Sequence, residues 1–262
     1  MLRRAFKNYC YDKGYFAKTN AAQNDVQRLI KKMRPVKTNY PLIRIGSASD
    51  GGYLVPNMID EIKAVYSPGV SNNSSFELEL AKKGIQCYLI DYSVNKAAEE
   101  HQLIHFDKKF LGYADDEIHW TLDSWVKKYT PKSNELLMQI DIEGAEYESI
   151  ISASQETLNR FKVIIAEFHG LDSIFSLYGY RLVNLCFEKL LRDFYVVHLH
   201  PNNCEGEVRK WGLSVPRVME MTFIRKDVCQ KLGFVNQYPN QLDQACVPSR
   251  PDLVLDQFWY SD

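Results

Sequence analysis

Leu136-Leu137-Met138-Gln139-Ile140-Asp141-Ile142-Glu143-Gly144-Ala145-Glu146-Tyr147-Glu148 is an apolar run that opens into four acids around one glycine. A short apolar run closed by such a turn reads as a buried strand. The two-residue period of a strand sets Asp141 and Glu143 on the same side as the strand ends. Glu146 and Glu148 read as the first turn of the next helix, where the helix dipole favours acids. Asp141 has no such role, because an acid at a buried strand end needs a partner.

The two following apolar runs end in polar clusters as well. One closes in Ala166-Glu167-Phe168-His169-Gly170, with Glu167 and His169 on a common face. The other closes in His198-Leu199-His200-Pro201-Asn202-Asn203, with His198 and His200 on a common face. Taken singly, each histidine reads as a satisfied packing residue. Three polar clusters at the ends of three successive strands are brought together on one rim of a sheet.

Outward from this centre, strand-like runs cover residues 64–67, 86–91, 104–111, 136–142, 163–168, 194–200 and 218–225. Helix-like segments at 75–83, 95–101, 122–129, 145–158 and 174–191 fill all but one of the later gaps. Alternation of this kind builds a mostly parallel sheet covered on both faces. Only the last two runs lack a helix between them, which suits an antiparallel last strand. The expected fold is α/β and Rossmann-like, a seven-stranded, mostly parallel sheet with helices on both faces. Residues 1–40 read as an N-terminal helical extension, with an amphipathic helix at 20–33 that Pro35 stops. Residues 41–262 read as the main domain.

In an open α/β sheet, ligands sit beyond the carboxyl ends of the strands, where strand order reverses. The run at 64–67 ends in Ser67-Pro68-Gly69-Val70-Ser71-Asn72-Asn73-Ser74-Ser75-Phe76-Glu77. Gly69 permits a tight turn and a close backbone approach, and Ser74 or Ser75 can cap the next helix. The run at 86–91 ends on Asp91, where a carboxylate commonly accepts hydrogen bonds from ribose hydroxyls. Read singly, these are an ordinary turn and a helix-capping acid; together they indicate a nucleoside. A dinucleotide is disfavoured, since its pyrophosphate requires a GxGxxG turn.

An apolar fraction of 45% and a charged fraction of 25% are those of an ordered globular chain. A net charge of -1 offers no basic field for nucleic acid. The basic residues Lys31, Lys32 and Arg34 read as a solvated helix face. The six scattered cysteines form no CxxC pair, which suggests reduced thiols and a cytoplasmic setting. Residues 1–13 lack the apolar core of a signal peptide, and no run is long enough to span a bilayer.

The sequence resembles the FkbM family of S-adenosylmethionine-dependent methyltransferases, whose class I layout has this strand plan. The matching segments run in order from Arg44-Ile45-Gly46 and Asp50-Gly51-Gly52-Tyr53 to Ser67-Pro68-Gly69 and Phe76-Glu77. Asp91, Thr121-Leu122, Asp141-Ile142-Glu143-Gly144-Ala145-Glu146, Glu167-Phe168-His169 and His198-Leu199-His200-Pro201-Asn202-Asn203 follow. The resemblance covers roughly residues 44–226, and its most specific motif is Asp-Ile-Glu-Gly-Ala-Glu. It implies O-methyl transfer to a hydroxyl of a small acceptor, often a sugar or nucleotide sugar in polysaccharide or natural-product biosynthesis. S-adenosylmethionine carries no phosphate, so the glycine-poor turn suits it. Gly69, Phe76, Glu77 and Asp91 are implied as cofactor residues, and Asp141 as the floor of the active site. Ser71 and Ser75 of the turn join the cofactor candidates.

Related sugar methyltransferases hold a divalent cation with acids at the ends of the fourth and fifth strands. Here the fifth strand offers Glu167 and His169 in place of two aspartates. Asp141, Glu167 and His169 are candidate ligands for Mg2+ or Mn2+, which accept carboxylate and imidazole. In a metal-free alternative His169, His198 or His200 is the base that a weakly nucleophilic hydroxyl needs. Arg44, Asp50 and Tyr53 are acceptor-pocket candidates, with Asn202 and Asn203 bonding acceptor hydroxyls; Asp50-Gly51-Gly52 is equally a tight turn. A homo-oligomer is compatible with all of this. Two rivals stand: a nicotinamide-dependent oxidoreductase, which would need the missing glycine fingerprint, and a catalytically inactive nucleoside-binding module, which would not need the acidic rim.

Overall fold

The computed structural model describes residues 6, 9–13, 19–130 and 132–261. The stretch 1–13, read above as no signal peptide, falls in large part outside them. Helix α1 (Gln23–Lys32) leads into β1 (Val36–Thr38), then the hairpin of β2 (Leu42–Gly46) and β3 (Gly52–Pro56). Next come β4 (Ala64–Pro68), α2 (Ser75–Lys82), β5 (Gln86–Ile90), β6 (Ile104–Asp107), β7 (Phe110–Leu111) and β8 (His119–Trp120). They are followed by α3 (Leu122–Tyr129), β9 (Leu136–Ile140), α4 (Glu146–Ser152), α5 (Gln155–Leu158) and β10 (Phe161–His169). The chain then forms α6 (Leu177–Asp193), β11 (Phe194–Pro201), β12 (Glu207–Lys210), β13 (Leu213–Pro216), β14 (Val218–Arg225) and β15 (Lys231–Phe234).

Seven strands make one sheet in the order β6-β5-β4-β9-β10-β14-β11. Only β14 runs antiparallel to its neighbours. Strand order reverses between β4 and β9, the place where an open α/β sheet leaves a crevice. This is the class I, Rossmann-like arrangement expected from the alternation; each expected run supplies one of its strands, although the run 104–111 breaks after Asp107 and its end, Phe110–Leu111, pairs with β8 outside the sheet. Strands β4 and β9 are buried along all five residues. Both lie in mid-sheet with both faces covered, which is why they read as continuous apolar runs rather than alternating ones. Against one face pack α1, α3, α4 and α6, with Val26, Trp125, Ile150 and Phe187 meeting Tyr66, Met138, Phe168 and Phe223. Against the other pack α2 and the β2–β3 hairpin, with Leu80, Tyr53 and Val55 meeting Val65, Leu137 and Ile165. Helix α1 thus contributes to the main core, since Val26, Leu29 and Ile30 are buried in it.

Two expected helices differ. The segment 95–101 is a string of bends. Ala97 is its one buried apolar residue, and a helix with no stripe to bury gains nothing from packing. The segment 145–158 breaks at Ala153 into α4 and α5. Ser154 caps α5 by accepting from the Thr157 N–H, and Asp123 takes the Ser154 N–H at 2.9 Å, so the break is held from both sides. No helix among the described residues is long and apolar enough to cross a membrane. All six cysteines are free.

One glycine lets the two central strands close on each other. Gly69 follows β4 with φ +87°, and a Cβ there would lie 1.6 Å from the Asp141 carbonyl oxygen. The Asp141 N–H donates to Pro68 O at 3.3 Å and the Gly69 N–H to Ile90 O at 3.0 Å. Substitution therefore meets both a left-handed backbone, costing about 1–2 kcal/mol, and a backbone atom with no freedom to swing away. Gly69→Ala is expected to lower stability by more than about 2 kcal/mol in denaturant unfolding. A loss under about 0.5 kcal/mol would show that the loop yields and that the close approach is not required.

Candidate functional site

At the reversal point a cavity of about 230 Å³ opens between the loop after β4 and the β2–β3 hairpin. Gly69, Ser71, Phe76 and Glu77 border it from the loop and from α2, and Asp141 and Gln139 from β9 and its end. Ser75 stands beside it, its hydroxyl 3.4 Å from Gly51 O. Asp91 lies behind the loop. Its Oδ2 accepts from the Ser71 N–H at 2.8 Å, and its Oδ1 from the Ser93 N–H at 2.8 Å and hydroxyl at 2.6 Å. The carboxylate thus fixes the turn in which Ser71 holds the unusual φ of +43°. Each oxygen keeps lone-pair capacity for a further donor.

The hairpin forms the roof. Asp50 and Tyr53 border the cavity. Tyr53 OH accepts from Gln139 Nε2 at 3.0 Å, and its ring meets Phe76 edge-on at 5.5 Å. Asn73 ties the loop to the roof by donating to Asp50 O at 3.1 Å. Arg44 is engaged within the hairpin, donating from Nε to Ser47 O and from Nη2 to Ser49 O, both at 2.9 Å.

Next to the cleft stands an acidic centre built around His169. Nδ1 of His169 lies 3.2 Å from Glu146 Oε1. Nε2 faces Glu143 Oε2 at 3.4 Å, with Asp141 Oδ1 and Glu167 Oε1 each at 3.9 Å. Glu146 is fully buried, and the same Oε1 accepts from the N–H groups of Ile142 at 3.0 Å and Gly144 at 3.1 Å. Burial pushes the Asp141 carboxyl up to about 7, opposed by the charge of His169 and aided by those of Glu143 and Glu146. Burial and the charges of Asp141 and Glu220 hold Glu167 well above the usual carboxylate range. Burial works against a charged His169, but Glu146, Asp141 and Glu167 overcome it and raise the ring to about 9.

These residues suit a cation. Asp141, Glu143 and His169 offer three ligand atoms within 4.8 Å of one another. Asp141 Oδ1 and Glu167 Oε2 are buried with no hydrogen-bond partner. A metal-bound histidine normally donates its other N–H to a carboxylate, and Glu146 stands where that acceptor is needed. Glu143, at a left-handed φ of +56°, completes the compact trio. Glu167 is adjacent, and its Oε1 accepts from Asn202 Nδ2 at 2.8 Å.

The remaining candidates meet a segment whose role the sequence does not announce. Residues 235–261 carry little regular structure and run against the ends of β11 and β14. His198 Nε2 lies 2.9 Å from Asp243 Oδ1, and His200 Nε2 lies 3.1 Å from Asp252 Oδ2. Asn203 accepts from the Val247 N–H at 2.8 Å and donates to the carbonyls of Val247, Arg250 and Pro251. Glu143, Glu146, Glu220, Asp243, Cys246 and Asp252 are the site residues that sequence reasoning missed, Glu143 standing in the compact trio where Glu167 was expected. Glu146 was legible only as a helix-start acid. The tail residues sit in aperiodic coil, where no spacing links them to the sheet.

No protein-family model matches the chain, and no curated protein matches it. Among solved structures it is similar to the bifunctional kinase-methyltransferase WbdD, at 15% identity and TM-score 0.36, over 67% of this chain and 39% of that one. It is also similar to the MycE methyltransferase of the mycinamycin biosynthetic pathway, in complex with Mg, SAH and mycinamycin VI. That match has 14% identity and TM-score 0.34, over 63% of this chain and 46% of that one. A third is a putative RNA methyltransferase, PH1948 from Pyrococcus horikoshii, at 11% identity and TM-score 0.35, over 78% of this chain and 99% of that one. The chain thus spans less than half the length of WbdD and of MycE.

Glu77 gives the cleft a measurable pH dependence. Burial raises its carboxyl from the usual 4.5 to about 7. The folded state therefore binds this proton more tightly than the unfolded state. The stability it contributes is full below about pH 4.5 and is lost as pH rises through about 7. Glu77→Gln removes the penalty, so at pH 8 the variant is expected to gain up to about 3 kcal/mol on wild type. The gain should vanish below pH 4.5 in denaturant unfolding. A difference between the two proteins that does not change with pH would show that Glu77 is ionised in the folded protein at no cost.

Proposed function

We propose that this chain transfers a methyl group from S-adenosylmethionine to a hydroxyl oxygen of a small acceptor, a sugar or nucleotide sugar. The observation that carries the reading is the imidazole of His169, fixed at Nδ1 by buried Glu146 and turned at Nε2 toward three more carboxylates, next to the cleft at the reversal point. The FkbM-like motifs supply both halves of that arrangement.

The roles follow from position. Asp91 and Ser71 shape the turn that receives the ribose, while Gly69, Phe76 and Glu77 line the nucleoside cavity. S-adenosylmethionine, when bound, supplies an electrophilic methyl group on a sulfonium. Asp141 closes β9 beside that group and positions the acceptor, since alignment of oxygen, methyl and sulfur can supply much of the rate. In a metal-free site the neutral form of His169, whose share grows as pH rises toward about 9, would accept the hydroxyl proton at Nε2, because Nδ1–H is committed to Glu146. Asp141, Glu143 and His169, with Glu167 beside them, would hold a divalent cation, which would make a bound hydroxyl more acidic. Asp50 and Tyr53 of the roof, and Asn202 through Glu167, line the acceptor side.

Thermal shift tests the cofactor. S-adenosylhomocysteine at one hundred times its Kd should stabilise the fold by about 2.7 kcal/mol, and NAD should leave Tm unchanged. Asp91→Ala should remove most of the shift. An unchanged Kd in that variant would remove Asp91 from the ribose site.

Turnover tests the chemistry. Asp141→Asn is expected to lower kcat by a hundredfold or more while S-adenosylhomocysteine affinity changes by less than tenfold, in assays against a panel of nucleotide sugars. EDTA should abolish activity, and Mg2+ or Mn2+ should restore it. Full activity after chelation, with His169→Ala still slow, would replace the metal by a histidine base acting alone. Near-normal turnover in Asp141→Asn would make the acidic motif structural.

A further inference from the structure

On the other side of Glu167 from the cleft, three side chains of different chemistry meet in the interior. His200 comes from β11, Glu220 from β14 and Cys246 from the C-terminal segment, and all are buried. Their ligand atoms lie within 4.8 Å of one another. Cys246 Sγ is 3.2 Å from Glu220 Oε1, and His200 Nδ1 is 3.6 Å from Glu220 Oε2. Around a tetrahedral zinc with Zn–S of about 2.3 Å and Zn–N or Zn–O of about 2.0 Å, neighbouring donor atoms stand roughly 3.3–3.5 Å apart. Both distances to the Glu220 carboxylate are close to that spacing, and the three ligand atoms lie near enough to one another to surround one ion.

We propose that His200 Nδ1, the Glu220 carboxylate and the Cys246 thiolate bind a zinc ion that fastens the C-terminal segment to the sheet. Orientation supports it independently of spacing. His200 turns Nδ1 to the trio and holds Nε2 at 3.1 Å from Asp252 Oδ2, the carboxylate–histidine arrangement that fixes a metal-ligating ring. A thiolate with an imidazole selects zinc over magnesium or calcium. Glu167, whose Oε2 is buried without a hydrogen-bond partner, stands opposite Glu220 in the β10–β14 ladder.

Charge agrees with geometry. Without metal, burial and the Glu220 carboxylate push the Cys246 thiol far up, so it stays protonated. Burial opposes a charged His200, but Glu220, Asp243 and Asp252 hold it up to about 9. Zinc displaces one proton from the thiol and one from the imidazolium. The ion's two positive charges then meet a thiolate and a carboxylate, leaving the buried trio neutral. The site differs from the Asp141 centre in containing a thiolate, which that centre lacks.

The test uses the full chain. Dialysed against chelator and titrated with Co2+, it should take up one equivalent with a thiolate-to-cobalt charge-transfer band, and Zn2+ should abolish that band. Cys246→Ser should remove the band, whereas Cys204→Ser, at an exposed thiol outside the trio, should keep it. On the wild-type chain, Zn2+ should slow alkylation of Cys246 at least tenfold, read by peptide mass spectrometry, so that no variant need fold. Absence of both the band and the protection in the wild-type chain would overturn the site and leave a metal-free ion pair. A band that survives Cys246→Ser would overturn the assignment of the thiol.

Discussion

A single carboxylate oxygen, Oε1 of Glu146, sits at the meeting of three chain segments. It accepts from the N–H groups of Ile142 and Gly144 and lies 3.2 Å from Nδ1 of His169. A fully buried acid is costly unless such partners surround it, so the turn after β9, the start of α4 and the end of β10 have to meet where they do. That meeting fixes the ring of His169, and the ring in turn fixes which nitrogen faces Asp141, Glu143 and Glu167. The left-handed backbone at Glu143 and Gly144 belongs to the same knot, because only a sharp turn presents both N–H groups to one oxygen.

The acids on the other side of that ring are placed by the period of the strands. Side chains two apart share a face, and the register sets Glu167 opposite Glu220 and Glu220 opposite His200. With Asp141 beyond the end of β9, this makes a lateral polar row on one face of four neighbouring strands. Two residues lower that face still carries Gln139, Thr222 and His198 beside Ile165, and four residues lower it is apolar at Leu137, Val163 and Ile224. Burial raises the proton affinity of Asp141 and Glu167, and nearby carboxylates add to it, Glu143 and Glu146 at Asp141 and the row members Asp141 and Glu220 at Glu167. An imidazole at His169 and another at His200 relieve the row at two places, and a cation at either place would do so further.

What was legible in the sequence follows from how each contact is encoded. Strands β4 and β9 are apolar at every position because both faces are covered, and they were readable as such. The order of polar strand ends by itself puts Asp141, Glu167 and His169 on one rim. The segment 95–101 misled because its composition is helical while its burial, limited to Ala97, is not. Glu146 misled in the opposite way. Its position at a helix start explains an acid there without revealing that the carboxylate turns back to the strand ends. Asp243, Cys246 and Asp252 were illegible, since their partners lie 26 to 52 residues away in sequence and coil has no period to carry such a pairing.

The alternating core and the segments added to it divide the work of the molecule. Strand–helix alternation encodes a sheet, a crevice and a rim of polar residues, all of which recur with many activities on this architecture. The β2–β3 hairpin and the C-terminal segment add no strand to the seven-stranded sheet, yet they close the rim from two directions. Tyr53 reaches Gln139, and Thr222 donates to Leu54 O at 2.7 Å, so the hairpin is bonded to both β9 and β14. The tail supplies Asp243 and Asp252 to the two histidines of β11 and is itself clamped by Asn203. Each addition buries polar groups that the sheet alone would leave facing water. Their partners had to arise on the sheet at the matching register. The acidic rim is therefore a property of sheet, roof and tail together, and a substitution in the tail acts on it as directly as one in a strand.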